Sequence, residues 1–203
     1  FCCWLIRMRY AFPAWPLLVA ILIAPCGGAA APELPTPPSA VEPLRNEDLA
    51  ELFAAMEASC EASQEVFRPL SAGQMNWRPP DGSHTPRWNA DHMTGRQLLF
   101  FSQIYAAIDP ETHRVVDINP QQMPADYEAA HPDWTGEQEA TQMQAGSEYV
   151  RGFAALLEGV DLDTKAPGSR WTLRGLRKQM DRHFEEHTAN VKKKFALDGW
   201  PPQ

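Results

Sequence analysis

Basic residues are in deficit: 18 Lys and Arg stand against 26 Asp and Glu in 203 residues, a formal net charge of -8. An acidic balance repels phosphate, and no Lys/Arg face interleaved with aromatics offsets it, which argues against a nucleic-acid partner. Cysteine is scarce as well. Cys2, Cys3 and Cys26 lie in the first 31 residues, leaving Cys60 alone beyond them. One thiol closes no internal disulfide, so the fold must rest on its core. With 44% hydrophobic residues that is feasible, since one domain of about 100 to 200 residues buries a sizeable core without staples. No stretch alternates apolar and polar residues as a half-buried strand does, so a sheet is not expected. The apolar run Leu17 to Ala24 falls short of the ~20 residues a bilayer-spanning helix needs.

Proline, in contrast, is plentiful, with 19 copies, and its positions divide the chain. From Met8, the expected start, Arg9 is followed by that apolar run and then by Gly27-Gly28-Ala29-Ala30-Ala31. A positive start, a short apolar centre and a small-residue exit are the three parts of a secretory signal peptide, here residues 1–31. Cleavage near Ala30 or Ala31 removes Arg7 and Arg9 and leaves 16 basic against 26 acidic residues, a mature net charge of -10. The product is expected to be periplasmic or extracellular. An uncleaved anchor over Trp15 to Ala31 is the alternative, and a lipid-modified Cys26 is disfavoured by Pro25. Five prolines in residues 32–44 give an extended tether.

Residues 45–203 read as four helices. Asn46 caps the first, whose apolar stripe is Leu49, Leu52, Phe53, Met56, Cys60 and Phe67. A turn-rich stretch from Ser71 to Arg87 precedes the second, expected from Trp88 or Asn89 to Ile108. Residues 109–134 show no steady period and form a long connection, of a kind often functional or covering. Thr135 and Gln138 form a capping-box pattern for the third, which runs toward Gly159. The fourth extends from Trp171 or Thr172 to about Leu197, with Leu176, Met180, His183, Phe184, His187, Val191 and Phe195 on one side and Lys192 to Lys194 mostly on the other. The expected fold is all-α, a four-helix bundle with one long crossover loop.

Within that bundle, His183 and His187 stand one turn apart, and both fall on the apolar stripe. A buried polar group without a partner costs about 1 to 3 kcal/mol, so two imidazoles on one buried face call for a shared reason. A metal ion supplies one, because neutral imidazole ligates Zn, Ni, Fe and Cu. The alternative reading leaves both half-buried and satisfied by carboxylates or water. His92, near the start of the second helix, is the best third ligand. Three histidines leave a coordination position open, as catalytic sites do, whereas structural zinc sites usually take four protein ligands. His84, His113 and His131 fall in loops and are expected to be solvated, with His84 near enough to approach the site. His183 to His187 also spells the inverted zinc-protease motif His-x-x-Glu-His, but that class implies a further acidic ligand well downstream and only sixteen residues follow His187. Asp91 and Glu186 are the candidate bases or partners of a histidine N–H. Asp91 also reads as a first-turn acid favoured by the helix dipole, and Glu186, one residue off the stripe, as a solvated surface acid.

Residues 70–79 (Leu-Ser-Ala-Gly-Gln-Met-Asn-Trp-Arg-Pro), Trp88-Asn89-Ala90-Asp91-His92-Met93, and Trp171-Thr172-Leu173-Arg174-Gly175-Leu176 leading into His183-x-x-x-His187 together resemble the DinB/YfiT-like family, over roughly residues 45–197. That resemblance implies a bundle holding a divalent metal (Zn, Ni or Fe) on His92, His183 and His187. It further implies action on a small molecule, by hydrolysis or by transfer to a small thiol. The export signal and the 109–134 loop depart from many relatives, and a thiol transferase outside the cytoplasm would lack its usual thiol pool. The other reading is a non-enzymatic secreted bundle that binds a small ligand or protein partner, since Cys60, on an apolar stripe, reads as a core residue rather than a nucleophile. A homodimer is compatible with either.

Overall fold

Asn46 starts the first helix by accepting the Leu49 N–H on its side chain at 3.1 Å, and α1 runs Glu47–Phe67 with Glu47 and Asp48 in its positive first turn. The computed structural model describes residues 36, 41 and 43–202 apart from 121, 122 and 124–126. The expected export signal and most of the tether lie outside the described residues. Every apolar position expected on α1 is buried. The stretch read as turns contains a short helix, α2 (Ala72–Asn76), started by a capping box in which Gln74 Oε1 accepts the Ser71 N–H at 2.9 Å. Next, α3 spans Pro86–Ile108, two to three residues earlier than expected, because Thr85 caps it and Pro86 tolerates a first turn where its missing N–H has no role.

Thr135 and Gln138 make the anticipated box for α4 (Gly136–Gly152), which tightens into a 3₁₀ turn at Ala154–Leu157 before Gly159. Thr172 Oγ1 accepts the Gly175 N–H at 2.9 Å and opens α5 (Leu173–Lys194), which starts one or two residues later and ends about three residues earlier than read. Among the described residues there is no strand, only an isolated bridge between Lys165 and Thr172, and no helix is long and apolar enough to cross a membrane.

The four long helices form a ring in which α1 and α3 each pack against both α4 and α5. Near the starts of α3 and α4, Arg87 meets Glu139, and near their ends Tyr105 Oη donates to Val150 O, so these two run parallel. A second parallel pair is α1 and α5, joined by Asp48 to Arg174 at 3.3 Å and by Thr188 to Ser63 at 2.8 Å. Parallel neighbours cannot be joined by a short turn. The connection must return along the 23 residues of α3, roughly 35 Å at ~1.5 Å per residue, which is why the crossover segment is long. It descends α3 in order: the Val116 N–H donates to Ser102 Oγ at 2.9 Å, Asn119 lies on Gly95, and Trp134 O accepts from Arg87.

Three side chains depart from the sequence expectation. His113 is buried edge-on against Phe153, with ring centroids 4.5 Å apart, where a solvated loop histidine was expected. Phe195 is exposed because α5 ends before it, and Lys194, placed on the polar side, is buried.

Arg87 has no exposed surface, and its three nitrogens are spent on three parts of the chain. Nε donates to Asn76 Oδ1 of α2 at 2.8 Å, Nη1 to Glu139 of α4, and Nη2 to the Trp134 carbonyl at the end of the crossover. Breaking a buried ion pair by removing one partner typically costs about 3 to 5 kcal/mol, because a charge is left buried alone. Arg87→Met is therefore expected to lose stability of that order in urea unfolding, with part of the loss recovered by adding Glu139→Gln. A loss below ~1 kcal/mol, the worth of a surface pair, would show that Arg87 is no anchor.

Candidate metal centre

Antiparallel packing of α3 on α5 brings the second turn of α3 opposite the middle of α5. His92 then faces His183 and His187, and one nitrogen from each of the three lies within 4.8 Å of the others. Ring centroids are 4.9 Å apart for His92 to His183 and for His92 to His187, and 4.5 Å for His183 to His187. His92 and His183 are 8% and 6% exposed, and His187 is half-buried. All three expected ligands therefore converge. Among the described residues no fourth His, Cys, Asp or Glu joins the group.

The outer nitrogens explain the orientation of the rings. His92 Nδ1 is 2.9 Å from the Pro120 carbonyl on the crossover, and His187 Nδ1 is 2.7 Å from Asn89 Oδ1, one turn before His92 on α3. A carbonyl oxygen only accepts, so at Pro120 the Nδ1 carries the proton and the other nitrogen keeps its lone pair. The Asn89 amide oxygen does the same for His187. His183 Nδ1 is buried with no partner among the described residues. Burial, and after it the two neighbouring imidazoles, pull His183 down to about 3. Burial and His92 pull His187 to about 4, and burial lowers His92. Neutral imidazoles are what a metal ion binds, so the donor set fits a divalent cation: three imidazole lone pairs, two of the rings oriented from behind, and one orphaned buried nitrogen.

One side of the cluster is closed by rings. Trp88 lies between His84 and His92, at centroid distances of 3.7 and 4.4 Å and 13° from parallel with each. His84 thus reaches the edge of the site, as its position near α3 suggested, though it is not a member of the trio.

The two candidate carboxylates lie elsewhere. Asp91 is rotated about 100° around α3 from His92 and accepts from Tyr127 Oη at 3.1 Å. It lines a cavity of about 480 Å³ beneath the crossover that none of the three histidines borders, and burial there pushes its carboxyl up to about 6. Glu186 is exposed and stands 3.8 Å from Arg182. Neither hydrogen-bonds a histidine among the described residues. The sequence reading missed Asn89 and Pro120 as orienting groups. Asn89 was findable, three residues before His92 on a helix face. Pro120 carried no signal, because a carbonyl in an aperiodic loop has no residue-type signature.

The model of one protein family, described as the DinB superfamily, matches residues 55–191, a span that contains all three histidines. No curated protein and no solved structure matches the chain.

Gly95 makes the loop contact possible, since a Cβ there would stand 2.6 Å from the Asn119 Cα. Gly95→Ala must push the crossover off α3, at a cost of about 1 to 3 kcal/mol, and loosen the Pro120 partner of His92. It is expected to lower both the unfolding midpoint and metal affinity, and an unchanged midpoint would show that the loop does not bear on α3. A second expectation concerns protons. In the metal-free chain, His183 and His187 stay neutral at pH 5, whereas the unfolded imidazoles titrate near 6.5. The unfolded state therefore takes up protons first, and these two histidines contribute stability that is complete above 6.5 and declines as pH falls toward 4. Histidine Cε1 proton titration by NMR checks this, and midpoints near 6.5 for both would refute the buried arrangement.

Proposed function

The chain belongs to the DinB superfamily, and from that premise we propose that it is a metal-dependent enzyme acting on a small molecule, with a divalent ion (Zn, Ni or Fe) held by His92, His183 and His187. The observation that carries this reading is the convergence of three neutral imidazole nitrogens within 4.8 Å, two of the rings buried and one half-buried, and two of them oriented by an oxygen behind the ring. A structural role alone is poorly served by such a set, because three ligands leave a coordination position open. When bound, a divalent ion there supplies Lewis acidity toward a substrate and toward a water or thiol at neutral pH.

The chain's own groups do the positioning. Pro120 O and Asn89 Oδ1 fix two rings, and Trp88 closes one flank against water. Cys60 is no nucleophile for this chemistry, being buried with its thiol donating to the Met143 carbonyl and pushed up to about 11 by burial. We read the protein as exported on the strength of the Met8 to Ala31 pattern. Export favours a hydrolase over a thiol transferase, because the small-thiol pool is cytoplasmic.

Elemental analysis of the purified chain tests the metal site. The expected result is one divalent ion per chain, lost in His92→Ala, His183→Ala and His187→Ala taken singly, and unchanged occupancy in all three would end the proposal. Cobalt substitution separates the enzyme from a binding module: a spectrum that responds to added small ligands shows an open position, and a coordinatively saturated one favours binding without catalysis.

A further inference from the structure

Seven residues beyond His187, α5 carries Lys194 on the same stripe, and this side chain is only 3% exposed. Seven residues are two turns, or ~10 Å, but helical side chains lean back toward the N-terminus. Nζ accordingly donates to Asn190 O at 3.0 Å, one turn back, which brings the ammonium toward the level of His187. That is its one hydrogen bond among the described residues, and the acid whose charge acts on it, Asp81, is exposed and beyond ion-pair distance. Burial holds its pKa below that of an ordinary lysine. A buried ammonium with two N–H groups unspent is an expensive arrangement unless something else meets it.

The ammonium borders a cavity of about 350 Å³ whose polar lining includes His84, Asn89, Asn190 and Lys193, with Asp81 as its single acid. This cavity adjoins the histidine trio: Asn89 accepts from His187, and His84 stacks on Trp88. Asp81 already accepts the Ser83 N–H at 2.9 Å. Asp81 and Lys193 are exposed, so water screens both, and Lys194 is left as the one buried positive charge, which a monoanion balances and a dianion does not. Lysine also offers a point charge rather than the bidentate fork of arginine.

We propose that this cavity binds the carboxylate of a small monoanionic organic substrate, with Lys194 as its charge partner, and thereby sets the substrate class of the adjoining histidine site. The pocket stands on the chain's own side chains, and only its assignment to the substrate rests on the metal-enzyme reading.

Amide NMR titration of the full chain with butyrate, and with butyramide as its neutral isostere, tests the proposal in zinc-loaded and in metal-stripped protein. Butyrate is expected to shift residues 83–89 and 190–197 in both forms, and butyramide to bind far more weakly. Lys194→Met and Lys194→Gln should each raise the butyrate Kd by on the order of tenfold or more, the worth of a hydrogen bond to a charged group. Their Tm should equal or exceed that of the parent, because an unpaired buried charge is removed. Equal binding of butyramide, an unchanged Kd in both variants, or binding that requires zinc would overturn the pocket. So would a lower Tm in both variants, by showing that Lys194 is paired within the chain. Metal content measured on the same samples separates the two readings: butyrate binding by a chain that never holds metal fails the metal site and leaves the pocket standing.

Discussion

The guanidinium of Arg87 is the point where α2, the start of α3, the start of α4 and the end of the crossover meet. Its ion pair with Glu139 lies out of water on both sides, and burial, with Asp91 beside it, pushes the Glu139 carboxyl upward while Arg87 pulls it down. A buried pair of this kind adds little net stability over an apolar packing of equal volume. What it adds is register. Three donors aimed at three segments admit one mutual placement, and that placement sets α3 and α4 side by side with their N-termini together.

Parallel helices force the chain to return, and the return path builds the site. As the crossover descends α3 it lies on Gly95, delivers the Pro120 carbonyl to His92, and sends Tyr127 to Asp91 before Trp134 closes on Arg87. The candidate metal centre therefore draws on three parts of the chain although its three histidines come from two helices. Asn89 and His92 share one face of α3, so the helix that supplies one ligand also orients another across the interface. Protonation of any one imidazole would set a positive charge beside two others in a buried place, and the cluster is accordingly held neutral.

The helices and the histidine trio were legible because both rest on periodicity. His183 and His187 follow Met180 and precede Val191 at helical steps, and a stripe that continues through two imidazoles is visible without coordinates. Thr85-Pro86 and Ser71 with Gln74 were equally local signals, and reading them would have corrected the start of α3 and found α2. The burial of His113, the Pro120 carbonyl and the turning of Asp91 toward Tyr127 depend on where an aperiodic loop lies, which no short-range pattern encodes. Lys194 was misplaced for another reason. It lies seven residues from His187 and obeys the stripe, but residue type outweighed phase, since a lysine in a Lys-Lys-Lys run reads as solvent-facing.

That run invites a simpler account of Lys194, in which all three lysines answer the negative end of the α5 dipole. The magnitudes decide against it. A cation in the last turn gains about 0.3 to 1 kcal/mol from the dipole when exposed, and Lys192 and Lys193 obtain that while remaining in water. Removing an ion from water costs several kcal/mol even after relaxation, so the dipole alone cannot hold Lys194 inside. A side chain of this length on the rim of a bundle could reach solvent by a change of rotamer. It instead folds back one turn, toward Asn190 and the cavity beside the histidines, where an anion would offset the cost.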